Sequence, residues 1–232
     1  MPRPLSRRAL LTGGVLVGAT GWLGTTGCTA PRTTQTPRSE SPRPSPSGTR
    51  SPSPGGSPAR VLLAYFSRAG ENYYYGDRRD LEVGNTELLA RMIAELIDSD
   101  VYRIEAADPY PDSYDATVQR NVAEQDSDAR PAIANPLASI SEYDTVLLGS
   151  PIWNVRAPMI MTTFTDSHDF TDKRILPFVT YAVSRLGSVE RDYAAALPGA
   201  RLGDALAVRG EEATQHRAEV QTWLRTAGFL TR

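Results

Sequence analysis

Five stretches of the chain are patterned as strands, and helix-patterned stretches separate them. Val61–Phe66 (VLLAYF) and Thr145–Gly149 (TVLLG) are continuous apolar runs, as expected of strands buried on both faces of a parallel sheet. Val101–Ala106 (VYRIEA) alternates and reads as an edge strand. Arg174–Thr180 (RILPFVT) reads as a fourth strand, with Pro177 counting against a fully paired interior position, and Arg201–Val208 as a fifth. Leu88, Leu89, Met92, Ile93, Leu96 and Ile97 recur at helical spacing, with Asn85 or Thr86 able to cap the start. Further helices are predicted over Asp115–Ser127, near Met159–Thr165, at about 189–197 and over Glu211–Ala227, the last with Gly228 as its stop signal. Five alternations of strand and helix predict a doubly wound α/β domain, a parallel sheet of order 2-1-3-4-5 between two helical layers.

In such sheets ligands sit beyond the carboxyl ends of the strands, at the point where the strand order reverses. The loops to read are therefore those after residues 66, 149 and 180. In the first, Ser67-Arg68-Ala69 is followed by fourteen mostly polar residues, 70–83, and then by Gly84-Asn85-Thr86 at the start of a helix. A helix N-terminus presents unpaired backbone N–H groups and the positive end of its dipole, which suits a phosphate. Ser67, Asn85 and Thr86 add side-chain donors, and Gly84 permits close approach of the backbone. An ordinary strand–helix loop with a capping residue accounts for these residues equally well. The second loop holds Trp153 between Pro151 and Pro158. Its indole either offers a flat face to an aromatic ligand or covers the sheet edge.

Composition divides the chain. Residues 1–59 carry seven arginines and one acid, a net +6, leaving 18 basic and 26 acidic residues, a net −8, for 60–232. An acidic domain argues against nucleic acid as a partner. Residues 1–28 read as an export signal: Arg7-Arg8 precede a modest apolar stretch, short and Gly-rich for a membrane span. Twin-arginine signals of this kind serve a bacterial pathway and resemble those of proteins exported already folded. Cys28, the only cysteine, ends this stretch in a sequence similar to a lipoprotein box, with Thr25 where that box usually has Leu. Lipidation of Cys28 is the expected membrane attachment. Residues 29–59 are Pro/Ser/Thr-rich and read as a disordered tether. The domain at 60–232 is expected outside the cytoplasm and has no cysteine for a disulfide.

At the two loops the domain resembles the flavodoxin-like family, whose bacterial short-chain members read Ser-Arg-Thr-Gly-Asn-Thr and Gly-Tyr-Pro-x-Trp-Trp-Gly-x-x-Pro-Met. Here these are Ser67-Arg68-Ala69 … Gly84-Asn85-Thr86 and Gly149 to Met159. The resemblance spans about residues 60–229 and makes the first loop one phosphate turn with an insertion. It implies a flavodoxin-like three-layer α/β/α sandwich with FMN as cofactor. Ser67, Arg68, Asn85 and Thr86 would hold the phosphate. Pro151, Ile152, Trp153 and Asn154 would line the isoalloxazine, with Trp153 stacking, and Thr180, Tyr181 and Ala182 would form the third loop. Two positions depart from the family pattern. Asn154 replaces its second Trp, and Tyr181-Ala182-Val183 stand where Gly-Gly is common, placing side chains where φ > 0 is costly. The insertion is read as surface decoration rather than a cover over the site.

Other chemistries lack support. The Walker and dinucleotide glycine fingerprints are missing, as is G-x-S-x-G. His168 and His216 are too far apart in sequence to suggest a zinc site. The expected function is electron transfer by bound FMN to a redox partner protein or small acceptor. The alternatives are an FMN-dependent NAD(P)H:quinone-type oxidoreductase and a binding module that has lost flavin.

Overall fold

The computed structural model describes residues 59–231. The signal segment 1–28, Cys28 and almost all of the tether fall outside the described residues.

The odd and even residues of β1 (Val61–Phe66) point to opposite faces, and both faces are buried. Val61, Leu63 and Tyr65 pack with Leu89, Ile93, Val220 and Leu224 of α1 (Asn85–Ala94) and α5 (Arg217–Thr226). Leu62, Ala64 and Phe66 pack with Ile160, Met161, Phe164, Val189 and Tyr193 of α3 (Met159–Asp166) and α4 (Val189–Ala196). A strand apolar on both sides therefore carries two cores, one per helical layer. The main sheet runs β4 (Asp100–Ile104), β1, β5 (Thr145–Pro151), β6 (Arg174–Tyr181), β7 (Arg201–Leu202), all parallel. This is the expected order 2-1-3-4-5.

The fifth position departs from the expected single strand. It is split into β7 and β8 (Leu206–Arg209), both paired with β6 and separated by Gly203–Ala205. The split explains Pro177. The Ile175 carbonyl accepts from Gly203 N–H at 2.8 Å, and residues two apart on a strand point their backbone groups the same way. Pro177, which lacks an N–H, thus faces the interruption rather than a continuous ladder.

Two further expectations are corrected. The helix read over Glu211–Ala227 is a 3-10 segment, Gly210–Gln215, then α5, with His216 between them. The insertion, read as surface decoration, contributes Asn72 and Tyr73 to a cavity wall. It forms an antiparallel hairpin, β2 (Gly70–Tyr74) and β3 (Asp77–Leu81), turning through Tyr75-Gly76 at φ 49° and 98°. Positive φ at both central residues is the type I′ geometry that matches strand twist. Helix α2 (Tyr114–Asp126) follows β4. No helix among the described residues is long and apolar enough to cross a membrane.

Candidate functional site

At the carboxyl ends of β1, β5 and β6 lies a cavity of about 330 Å³, the scale of a small-ligand site. All eleven expected residues line it: Ser67, Arg68, Asn85, Thr86, Pro151, Ile152, Trp153, Asn154, Thr180, Tyr181 and Ala182. Sequence reasoning missed Asn72 and Tyr73 of the hairpin, Tyr114, Thr117, Val118, Asn121 and Val122 of α2, and Gly210 and Glu211 after β8. The helical pattern of α2 was legible, but which of its faces meets the cavity depends on how it packs.

Gly84 precedes helix α1 at the cap position and supplies no side-chain cap. Ser67, from the end of β1, takes that role: its Oγ accepts from Glu87 N–H at 3.1 Å. Neither Asn85 nor Thr86 is the cap. Their N–H groups have no partner within the helix, as first-turn donors do not, and both residues line the cavity. The Ser67 hydroxyl proton stays free to donate. A Cβ on Gly84 would lie 2.3 Å from Ser67 Oγ and 2.4 Å from the Arg68 carbonyl oxygen, so the two halves of the turn touch across the insertion.

Arg68 lines the cavity and also braces the backbone around it. Its guanidinium donates to the carbonyls of Pro111 (2.9 Å), Asp112 (3.0 Å) and Glu71. Burial lowers its pKa from the ordinary value, yet an arginine keeps its charge. Arg68 therefore lends positive potential to the turn while bracing two neighbouring segments. Only it and Glu211 are charged among the lining residues.

The remaining loops are tied to this turn. Thr86 and Thr180 share a hydrogen bond of 2.6 Å between their hydroxyls. The Ile152 N–H donates to the Thr180 carbonyl at 2.8 Å. Trp153 meets Phe66 and Tyr110 edge-on, with centroids 5.5 and 5.1 Å apart; these rings fix its indole. Asn154 Nδ2 donates to Gln125 Oε1 at 2.8 Å, and Gln125 Nε2 donates to the Trp153 carbonyl at 3.2 Å. Asn154, in place of a second ring, thus secures the loop to α2. Positive φ is not demanded of Tyr181, Ala182 or Val183; it falls on Arg185 and Gly187.

Neither histidine lines the cavity. His168 packs edge-on to Phe164, 4.8 Å between centroids, and burial lowers its pKa. His216 lies between Glu219 (2.6 Å) and Glu212 (3.1 Å).

Residues 81–227, more than half of the chain, match the flavodoxin family. A candidate flavoprotein from Bacteroides uniformis is 30% identical, with a TM-score of 0.59 over 72% of this chain and 98% of that one. A second, from Bacteroides eggerthii, is 24% identical, with a TM-score of 0.58 over 73% and 98%. A flavoprotein from Lactobacillus acidophilus, solved in complex with FMN, shares the fold at 18% identity, with a TM-score of 0.51 over 71% and 98%. No curated protein matches the chain significantly. The parallel sheet, the loops gathered at its switch point and the family match agree: the chain belongs to the flavodoxin family.

Proposed function

We propose that the protein binds FMN and carries electrons outside the cytoplasm, tethered to the membrane by lipid on Cys28. One observation supports the flavin-binding part of the reading: three loops distant in sequence converge on a single cavity at the N-terminus of α1. The residues fit the cofactor's parts. The N–H groups of Asn85 and Thr86, with the hydroxyls of Ser67 and Thr86, suit a phosphate. Trp153 and Tyr181 offer aromatic surface, and Ile152 with the Thr180 loop supports the ring's polar edge. When bound, FMN supplies the electron transfer itself. The chain's residues bind and orient it and keep water from one side. Its partner is a redox protein or a small acceptor.

Absorbance of the purified protein, before and after adding FMN, tests this. Oxidised-flavin bands should co-migrate with the chain. Thr86→Ala and Trp153→Ala should each weaken binding about tenfold, the equivalent of one good hydrogen bond or ring contact. A colourless protein that ignores added FMN would overturn the reading.

A further inference from the structure

Behind Trp153 the cavity wall holds a second oxidisable ring. The Tyr110 and Trp153 rings meet edge-on with centroids 5.1 Å apart, and Phe66 closes the third side at 5.3 and 5.5 Å from them. Tyr110 comes from the loop between β4 and α2 and is 8% exposed. Its hydroxyl donates to Glu124 Oε2 at 2.8 Å. The other carboxylate oxygen, Oε1, accepts from Arg120 Nε at 2.7 Å. The Arg120 guanidinium also lies 4.0 Å over the Tyr110 ring and donates to the Pro109 carbonyl at 3.0 Å. Beyond these residues is a groove open to solvent, lined by Asp108, Arg120 and Glu124. Indole, phenol and carboxylate thus run in contact from the cavity to a separate surface groove.

A backbone carbonyl would satisfy the buried hydroxyl equally well. A carboxylate can in addition take its proton. Burial, then the bond to Glu124, raises the Tyr110 pKa, so the ring starts as a neutral phenol. Loss of an electron turns a phenol into a strong acid, and the Arg120 cation over the ring disfavours any positive charge left there. Oxidation of Tyr110 therefore requires its proton to leave with the electron, and Glu124 is placed to receive it.

We propose that Trp153, Tyr110 and Glu124 form a relay that carries oxidising equivalents from the cavity wall toward the groove. A one-electron oxidant of the peroxyl-radical class takes an electron from the Trp153 indole and, with a proton from water, becomes a hydroperoxide. An electron then passes from Tyr110 to the indole as the Tyr110 O–H bond breaks and its proton moves to Glu124 Oε2. The indole is restored, Tyr110 is left as a neutral radical and Glu124 as a neutral acid. Phe66 takes no part, because a phenyl ring is far harder to oxidise than indole or phenol. Oxidation is diverted from the ring that faces the cavity to one behind it.

The test uses the full chain without added flavin, carrying Trp22→Phe to remove the indole of the N-terminal segment. Trp223, 8% exposed and packed near Phe178, is shielded. Pulse radiolysis generates the azidyl radical, which takes one electron from indole in preference to phenol. The indolyl absorbance should decay as tyrosyl absorbance rises. Tyr110→Phe keeps the ring and should prolong the indolyl signal. Glu124→Gln keeps a hydrogen-bond acceptor but is a far weaker base, and should slow the conversion by about tenfold or more. Conversion at the parent rate in either variant, or none in the parent, would overturn the relay. If a variant fails to fold, the parent decides alone. After exposure to peroxyl radicals, peptide mass mapping should find Tyr110 modified ahead of Trp153, and the reverse order would overturn the relay. Neither readout involves FMN, so failure of the relay leaves the proposed flavin binding standing.

Discussion

Val155 adopts φ 63° beside Asn154 at 47°, the two central residues of a tight turn. The turn is closed by Trp153 N–H to the Arg156 carbonyl (2.9 Å) and Arg156 N–H to the Trp153 carbonyl (3.2 Å). Asn tolerates this region; a β-branched residue does not. The strain is held in place because Ser188 N–H donates to the Val155 carbonyl at 2.7 Å, against which Gly187 packs. Val155 is 55% exposed, so its side chain returns little by burial. Val155→Gly is therefore expected to stabilise the fold by about 1 kcal/mol, strain relief exceeding the added freedom of the unfolded chain. The urea midpoint measures it, and a destabilised variant would refute the strain argument. Trp153 was legible in sequence because an aromatic in a Pro-flanked loop after a buried strand invites attention. The strain next to it was not, since Asn-Val is no turn signature and the conformation is imposed by Ser188, distant in sequence.

At the scale of elements, the junction between the 3-10 segment and α5 depends on His216. Its hydrogen bond to Glu212, then that to Glu219, raises its pKa above the ordinary 6.5 against opposing desolvation. Glu212 is depressed below its ordinary 4.5, first by His216 and then by Tyr75. The histidine's contribution to stability is complete below 6.5 and is lost as pH rises through its raised pKa; the glutamate's is complete above 4.5 and is lost as pH falls through its lowered one. Both are present in full between those values. His216→Gln should therefore lower the melting temperature near pH 5.5 and lose that effect toward about pH 9, by an amount kept small by exposure. An equal loss at both ends would assign His216 a packing role only. The same segment shows why the continuous helix expected over 211–227 failed: periodicity there is helical, but Gly210 and Glu211 must meet Asn85 and the hairpin tip. The hairpin was missed because its residues are largely polar and a two-stranded ribbon has no core of its own. The Tyr-Gly spacing between the two polar arms was the signal available.

Across the whole molecule, charge is the property that composition settles. The net −8 of residues 60–232 should steer cationic partners to the domain and repel anionic ones at low ionic strength. With FMN reduced, a cationic one-electron acceptor is expected to react faster than an anionic one of equal driving force. That advantage should vanish toward about 0.5 M salt, where screening acts within a few ångströms. A rate ratio insensitive to salt would remove long-range steering from the proposed role.

The apolar runs at β1, β5 and β6 determined the parallel sheet, because only strands buried on both faces carry such runs. The strand–helix alternation then determined the switch point and its three loops. Local sequence sufficed there because burial acts on each strand by its own pattern. Tertiary structure alone decided that Ser67 caps α1 from a distance, that Arg68 spends its hydrogen bonds on backbone carbonyls, and that the tip of the polar insertion bonds to Glu211 after β8. These are contacts between segments far apart in the chain, whose polar groups find partners only when the sheet has brought its loops together.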